Sequence, residues 1–307
     1  MEGINKKRNK RMKLINYLLL MLIAGIAISS SKVVAQINPL GAMYFQNQYL
    51  GNAAYAGIDS GINISTGLRQ QLRGIPGGPR NQAMTGEYRF GKVGLGLNFY
   101  NEKAGLISST RTVATYAYHL PLGAENQQLH LGLSLGFLNE RINDQEVIGT
   151  GGDVAVGMLN QRQTYIDSDF GMAYTAKRLT IQGALPNMKS FFAQDDRGAV
   201  NWATFFTAVS YMVQLGQGQD AVGIEPKLSY RGINGLDNIV DLGSNVTFAG
   251  KQVSVFGMFH STGSTTFGFG LNYRHRLSFQ GIYTTETSAI RGNTNGNFEI
   301  NLKARVW

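Results

Sequence analysis

Histidine and hydroxyl side chains are the groups of this chain best suited to catalysis or metal binding. The four histidines are His119, His130, His260 and His275. No two of them have the spacing typical of metal ligands. His260 is followed directly by Ser261, with Ser264 close by, so a base and a nucleophile of a hydrolase could be supplied here. Adjacent strand residues point to opposite faces, however, and His260 is therefore poorly placed to activate Ser261. We predict a polar loop end rather than a catalytic or metal site.

The sequence also lacks the patterns expected of a cofactor site. Gly149, Gly151 and Gly152 lie in a polar stretch, but they have neither the GxGxxG spacing nor a following helix that would present amides to a phosphate. The chain contains no Cys, which excludes disulfides, thiolate metal sites, Cys nucleophiles and an acylated lipoprotein Cys. We expect no cofactor and no enzymatic activity.

Apolar residues alternate with small or polar ones through most of the chain. In the segment GSTTFGFGLNYRHRLSFQGIY, residues 263–283, the side chains of Phe267, Phe269 and Leu271 are separated by glycines. A period of two is typical of a strand with one apolar face, and the basic residues 274–276 interrupt it as a turn would. The segment therefore predicts a β-hairpin.

The same pattern repeats to give about 14 predicted strands. Short turns alternate with longer connections, as they do in outer-membrane barrels, where short periplasmic turns and longer external loops join an even number of strands. The connections predicted to be long are 72–80, 101–106, 140–165, 186–200, 232–237, 260–264 and 286–296. Two of these, 140–165 and 186–200, are polar and long enough to be functional.

Two architectures fit an all-β chain of this kind. A soluble β-sandwich also alternates. The many aromatic residues on the apolar face, the low proline content of 6 residues and the rhythm of the connections favour an antiparallel transmembrane β-barrel of the outer membrane. Closure of the sheet would leave no unpaired backbone groups in hydrocarbon, and the lumen face could stay polar. Arginines 69, 89, 111 and 231 would then pair in the lumen with acids such as Glu87, Glu225 and Asp241, or select a substrate.

The first 35 residues have the three parts of a secretory signal peptide. Six basic residues precede the apolar run 14–28, and a small-residue site ends at Ala35. We predict cleavage between Ala35 and Gln36; the alternative is an uncleaved anchor, for which the run is marginal because a span takes about 20 residues. Of 28 basic and 19 acidic residues, 21 and 18 would remain, a net charge of +3 instead of +9. That balance gives no support for nucleic-acid binding.

We expect three regions along the chain: the signal peptide 1–35, an irregular periplasmic or lumen segment 36–57, and the barrel 58–307. The middle region mixes small, aromatic and amide side chains and has neither helical nor strand periodicity.

This middle region resembles a known family. The segment YFQNQYLGNAAYAG, residues 44–57, is similar to the N-terminal signature of the PorP/SprF family of type IX secretion proteins, with Ala53 where the family commonly has proline. RQQL, residues 69–72, resembles the family's Arg-x-Gln-Trp, with Leu72 in place of tryptophan. Further similar stretches are VGLGLNFYNEKAG, ATYAYHLPL and LHLGLSLGF.

The resemblance implies a non-enzymatic protein of the outer membrane of a Gram-negative bacterium, acting in protein secretion or gliding motility. Its partners would be outer-membrane lipid, the C-terminal sorting domain of secreted adhesins, and periplasmic ring components of the secretion or motility machinery. The residues expected to contact partners come from the resembling motifs and the two polar loops. They are Asn52, Tyr55, Gly57, Arg69, Gln71, Asp144, Asp153, Asp195 and Asp196.

Two other functions remain open at this point. A barrel of about 14 strands could form a passive pore or a transporter of small solutes, unless a plug closes it. An outer-membrane hydrolase is the third hypothesis, and it depends on His260 and Ser261.

Overall fold

Fifteen strands make up nearly all of the regular structure that the computed structural model describes. It describes residues 40–72, 77–123, 126–142, 164–188, 204–233, 237–286 and 295–306. The strands are β1 Gly61–Gln70, β2 Arg80–Phe90, β3 Val93–Ala104, β4 Ile107–Pro121, β5 Gln127–Ile142, β6 Thr164–Ala176, β7 Leu179–Leu185, β8 Thr204–Tyr211, β9 Val213–Leu215, β10 Val222–Ile233, β11 Ile239–Phe248, β12 Val253–His260, β13 Thr265–Tyr273, β14 Leu277–Thr284 and β15 Asn297–Arg305.

The sheet is closed and antiparallel throughout. Each strand pairs with its neighbours in sequence, and β15 returns to pair with β1. The predicted strand near residues 202–215 is divided at Met212 into β8 and β9, which both pair with β10 and together occupy one position in the wall. The barrel therefore has 14 strand positions, and the predicted fold class is confirmed.

The alternation of side chains separates an apolar outer face from a polar lumen face. On β5 the side chain of Leu133 is 56 % exposed and that of Leu135 is 61 % exposed, whereas Ser134 between them is 1 % exposed. Burial of one leucine stabilises a structure by about 1.5–3 kcal/mol, so a belt of such residues requires an apolar surrounding. The hydrocarbon core of the membrane supplies this apolar surrounding.

Exposed aromatic side chains lie at both rims of the wall. Phe205, Phe259 and Phe298 are near one rim, and six others are near the opposite rim: Tyr88, Phe90, Tyr118, Tyr211, Phe248 and Tyr273. Aromatic girdles at the lipid interface are typical of outer-membrane barrels. Among the described residues, no helix has the length and apolar character needed to cross a bilayer.

The rim with these six side chains carries the tight turns, and we call it the turn end. Three residues, 274–276, connect β13 to β14, and Arg274 and His275 both have positive φ, of 51° and 55°, as in the hairpin turns that match strand twist. The predicted hairpin is thus confirmed. β1 begins and β15 ends at this rim.

The opposite rim, the loop end, has connections of several lengths, and the predicted strict alternation is wrong there. The ladder of β3 and β4 continues to Ala104 opposite Ile107, so only Gly105 and Leu106 connect these strands. The connections 234–238 and 261–264 are also short. Asn101 and Glu102 break the apolar pattern, which predicts a loop, but the backbone pairing of the two strands continues through them. The predicted signal peptide and Trp307 lie outside the described residues.

Candidate functional site

Residues 40–58 lie inside the barrel as three short 3₁₀ turns, and we call this segment the plug. The turns are Gly41–Tyr44, Gln48–Leu50 and Ala53–Tyr55. Asn52 starts the third turn, where its side-chain oxygen accepts a hydrogen bond from the Ala54 amide at 3.0 Å. Small residues around Tyr55 let the backbone approach the wall closely. Most of the plug is buried, including its three tyrosines.

The first turn of the plug is bound to acidic side chains of the wall. The amides of Gly41 and Ala42 donate to Glu299 of β15 at 2.7 and 3.0 Å. The hydroxyl of Tyr44 donates to Asp241 of β11 at 3.0 Å. Burial raises the pKa of the Tyr44 hydroxyl far above its usual value, so this group keeps its proton and remains a donor.

Apolar side chains of the lumen surround this part of the plug. Met43 and Tyr44 pack in one cluster with wall residues, and Phe45 and Leu50 are partly buried against it. The wall members of the cluster are Ala184, Phe206, Ala208, Phe256, Met258 and Ile282. The rings of Phe45 and Phe256 have centroids 5.4 Å apart. The lumen thus holds the plug through apolar packing as well as hydrogen bonds.

Asp241 is the centre of a buried polar cluster. Arg231 contacts both of its carboxylate oxygens, at 2.9 and 3.0 Å, and Ser229 donates to it at 3.2 Å. His260 Nδ1 lies 2.6 Å from Asp241 Oδ1. The predicted pairing of Arg231 with Asp241 in a salt-bridged lumen is therefore confirmed.

This cluster places an acid, a histidine and a hydroxyl in line. His260 Nε2 lies 2.7 Å from Thr266 Oγ1, which in turn is 2.9 Å from Thr284 Oγ1. The order resembles that of a hydrolase triad, but Asp241 is already neutralised by Arg231 and all three groups are buried under Tyr44. Ser261 instead accepts the amide hydrogen of Val240 at 3.0 Å. The arrangement can orient hydrogen bonds, and it leaves a substrate no access to the hydroxyl.

The middle of the plug is held by amide side chains and one lysine. Lys227 of β10 donates to the carbonyl oxygen of Tyr44 and lies 4.7 Å from the centroid of the Phe45 ring. Asn52 donates to the carbonyls of Met172 and Gly183, both at 3.3 Å, and to Gln182 at 3.2 Å. Asn52 therefore joins the plug to both β6 and β7.

Glycines of the wall make room for the plug backbone. A Cβ atom at Gly132 would lie 2.2 Å from the carbonyl carbon of Ala53, and one at Gly94 would lie 2.0 Å from the oxygen of Ala56. At Gly171 the nearest atom would be Asn52 Oδ1 at 2.1 Å. At Gly268, by contrast, the nearest atoms to an added Cβ belong to the wall side chain of Phe256. The plug accounts for Gly94, Gly132 and Gly171.

The last residues of the plug meet charged and imidazole groups near the turn end. The Gly57 amide donates to Glu87 at 3.0 Å, and its carbonyl accepts from Arg89 at 3.3 Å. His119 Nε2 lies 3.1 Å from the carbonyl oxygen of Ala56.

His119 also contacts a second histidine, although the spacing of the histidines in the sequence predicts no pair. His119 and His130 face each other on β4 and β5 with Nδ1 atoms 2.7 Å apart. The register of two strands decides this contact, and sequence spacing does not reveal it. Among the described residues, no three His, Cys, Asp or Glu side chains form a group that could hold a metal ion.

A second charged cluster lies beside the plug. Arg111 of β4 pairs with Asp167 and Asp169 of β6, each at 2.6 Å. The sequence predicts that Arg111 pairs in the lumen, but it does not identify the two partners. Arg111 reaches across β5, which lies between β4 and β6, so its partners are not on a neighbouring strand. Arg111, Asp169 and Tyr49 line a small cavity of about 30 Å³.

The structure places the predicted partner-contact residues in three settings. Asn52, Tyr55 and Gly57 belong to the plug. Arg69 is buried in the lumen opposite Glu299 in the β1–β15 ladder, and Gln71 beyond the end of β1 donates to Asn81 at 2.6 Å. Asp144, Asp153, Asp195 and Asp196 lie outside the described residues. In this state Asn52, Tyr55 and Arg69 have no exposed surface to offer a partner.

Several functional contacts had no clear signal in the sequence. Glu299, Lys227 and His119 hold the plug, yet each sits in an ordinary alternating strand. A lysine or glutamate is rarely buried unless it has a partner. A charged residue on the predicted lumen face of a strand is therefore the one feature of the sequence that hints at such a contact.

Solved structures with a similar fold are outer-membrane proteins. The toluene transporter TbuX of Ralstonia pickettii shares 14% identity, with 91% of this chain and 96% of that chain covered and a TM-score of 0.51. The Acinetobacter baumannii outer membrane protein Omp33 shares 9% identity, with 81% and 99% covered and a TM-score of 0.48. No curated protein matches the sequence.

The family comparison extends over nearly the whole chain. Residues 33–304 match the family described as type IX secretion system membrane protein PorP/SprF. The match includes both the plug and the barrel, and the expected family resemblance is confirmed. This chain belongs to the PorP/SprF family of type IX secretion system membrane proteins.

Proposed function

We propose that this outer-membrane protein is a closed barrel that binds a secreted adhesin through its C-terminal sorting domain and anchors it, in secretion or gliding motility. The observation that carries the proposal is the plug, because a lumen filled by residues 40–58 is unsuited to passage of solutes. An outer-membrane protein without a path through it is suited to binding. The family to which the chain belongs supports a role in type IX secretion.

Two groups of residues have separate parts in this proposal. Asn52, Tyr55, Gly57 and Arg69 maintain the closed lumen, because they are bound to the wall or buried within it. Asp144, Asp153, Asp195 and Asp196 supply contacts to the sorting domain, and so does Gln71, which follows β1 at the loop end. The periplasmic ring components would meet the opposite rim. The export of the chain rests on a signal peptide cleaved between Ala35 and Gln36.

Copurification tests the adaptor function. The tagged protein is extracted gently from the outer membrane, and the proteins that accompany it are identified by mass spectrometry. We expect a large secreted protein with a C-terminal sorting domain. Joint replacement of Asp144, Asp153, Asp195 and Asp196 by Asn should reduce its recovery several-fold.

The matched control is Asp220→Asn, which removes an exposed carboxylate at the turn end. It should leave the recovery unchanged. Recovery of the barrel alone from wild-type cells, or unchanged surface display of adhesins after deletion of the gene, would contradict the adaptor.

A transporter of small solutes is the second candidate. The fold is shared with TbuX, which is a toluene transporter. This function requires the plug to move or to leave a path, so the reconstituted protein should then conduct or release an entrapped solute.

A further inference from the structure

The charged residues of the strand connections are divided unevenly between the two rims. By sequence, the six connections at the turn end contain six basic and two acidic residues, a net charge of +4. The seven connections at the loop end contain five basic and seven acidic residues, a net charge of −2. Positive charge is therefore concentrated at the rim that carries the tight turns.

The basic residues of the turn end are spread around the barrel, and we call them the basic belt. They lie in the turns that connect β2 to β3, β6 to β7, β11 to β12 and β13 to β14. All six side chains are exposed: Lys92, Lys177, Arg178, Lys251, Arg274 and Arg276. A set spread in this way lies next to the lipid that surrounds a barrel on every side.

Three of the four basic turns follow an exposed aromatic side chain of the turn end within three residues. Aromatic side chains at such a rim lie at the level of the lipid headgroups. Lysine and arginine can lay their apolar stems along the wall and keep the charged group at the same level. The neighbouring pairs are Phe90 and Lys92, Phe248 and Lys251, and Tyr273 and Arg274.

The contact of Arg274 with Tyr273 shows on which side of the wall one of these charges lies. The guanidinium carbon of Arg274 is 5.3 Å from the centroid of the Tyr273 ring. Tyr273 is 62 % exposed and lies on the same outer face of β13 as Phe269 and Leu271. A cation above an aromatic ring is attracted to it, so the guanidinium is held at the outer surface instead of over the lumen.

Most of the basic belt lacks an acidic partner in the barrel. Asp59, an acid at the same rim, is already bound by Lys303 at 2.7 Å. An exposed cation attracts anions over about 8 Å at physiological ionic strength. The anions for the belt must therefore come from outside the described parts of the chain, within which five of its members form no ion pair: Lys92, Arg178, Lys251, Arg274 and Arg276.

We propose that the basic belt binds anionic phospholipid headgroups of the periplasmic leaflet and so fixes the depth of the barrel in the membrane. In outer-membrane barrels the short turns are periplasmic. Arginine and lysine donate charge-assisted hydrogen bonds to phosphate oxygens, and a guanidinium can donate two in parallel. A headgroup such as phosphatidylglycerol carries a net negative charge, whereas phosphatidylcholine neutralises its own phosphate.

An acidic periplasmic protein is the other anion that such a belt could attract. The spread of the belt around the wall and the outward position of Arg274 favour lipid, because a protein beneath the rim would meet side chains that point away from the membrane. Lipid binding of this kind does not depend on the adaptor function, since it concerns only the wall and the leaflet around it.

Electron spin resonance of spin-labelled lipids tests the proposal with the full chain reconstituted in phosphatidylcholine vesicles. The spectrum separates lipid in contact with the wall from fluid lipid, which gives the preference for phosphatidylglycerol over phosphatidylcholine. The test variant combines Lys251→Gln, Arg274→Gln and Arg276→Gln. The matched control removes three exposed basic residues at the loop end by Arg80→Gln, Lys103→Gln and Arg141→Gln. Circular dichroism confirms that each variant has folded.

We expect the wild type and the control to prefer phosphatidylglycerol by about two-fold or more, and the test variant to lose most of that preference. In about 1 M salt, where the Debye length is about 3 Å, the preference of the wild type should disappear. Equal affinity of the wild type for the two lipids would overturn the proposal. A test variant that keeps the full preference, or a control that loses as much, would overturn it as well and leave an acidic protein as the anion for the belt.

Discussion

Asp241 shows how single residues keep the lumen closed. Its carboxylate is bound by Arg231, Ser229, His260 and the plug residue Tyr44, in a site without exposure to solvent. A buried carboxylate is tolerated only when its lone pairs are satisfied by hydrogen bonds and an opposite charge. Of these four donors, Tyr44 alone belongs to the plug. Its hydroxyl therefore links the plug directly to the buried charge of Asp241.

Tyr44→Phe removes this hydrogen bond and nothing else from the side chain. A hydrogen bond to a charged group contributes about 1.5–3 kcal/mol, so we expect a lower midpoint of unfolding in urea for the purified protein in lipid vesicles. The fluorescence of the tryptophans and tyrosines, followed as the urea concentration rises, measures this midpoint.

Tyr55→Phe is the matched control. Tyr55 is also a buried tyrosine of the plug, but its hydroxyl has no hydrogen-bond partner within the described parts of the chain. Its removal should leave the midpoint nearly unchanged. Equal losses for the two variants would show that the bond to Asp241 does not stabilise the protein.

At the scale of elements, the fit between the plug and the wall depends on glycines in β3, β5 and β6. Gly132 of β5 lies against backbone atoms of Ala53, which cannot rotate away as a side chain could. The wall and the plug must therefore have matching surfaces, and the third 3₁₀ turn is the part most sensitive to the size of its neighbours.

Gly132→Ala should loosen the plug. Overpacking of this kind costs about 1–3 kcal/mol, and the strain is relieved if the plug shifts away from β5. We expect cells with this variant to become more sensitive to a large antibiotic that an intact outer membrane excludes, which a dilution series measures.

Gly281→Ala serves as the comparison, because an added Cβ at Gly281 meets no atom within 4 Å. It should keep the wild-type sensitivity. The account of the plug fails if both variants, or neither, admit the antibiotic while the barrel is present in normal amounts.

Most strands could be predicted from the sequence, but the contacts between the plug and the wall could not. Strands such as β5 and β13 follow from alternation because one face is apolar and the other small or polar. The plug lacks any periodicity, so its turns and its place in the lumen depend on partners distant in sequence, such as Glu299 and Asp241. The contact of His119 with His130 depends on strand register, which a one-residue slip would abolish.

The predicted strand boundaries near the loop end were wrong for a related reason. β3 extends to Ala104 through the polar residues Asn101, Glu102 and Lys103, where the apolar pattern has ended. Outside the hydrocarbon layer a strand no longer needs an apolar face, so alternation fades before the hydrogen-bond ladder does. Met212 divides a predicted strand without any breaker residue in the sequence.

At the scale of the whole molecule, two closures define this protein. The pairing of β15 with β1 closes the wall, which leaves no unpaired strand edge in the bilayer, and the plug closes the lumen. A closed wall is a property of every such barrel, whereas a filled lumen distinguishes this protein from an open pore. The central claim is therefore that residues 40–58 close the lumen.

Planar-bilayer conductance tests this claim most directly. The wild-type protein and a variant lacking residues 40–58 are reconstituted separately, after both have been shown to be folded by their β-sheet circular dichroism. We predict that the wild type is silent and that the variant conducts, because removal of the plug leaves a polar lumen open to water. Steady conductance of the wild type, at the level of the variant, would contradict the account.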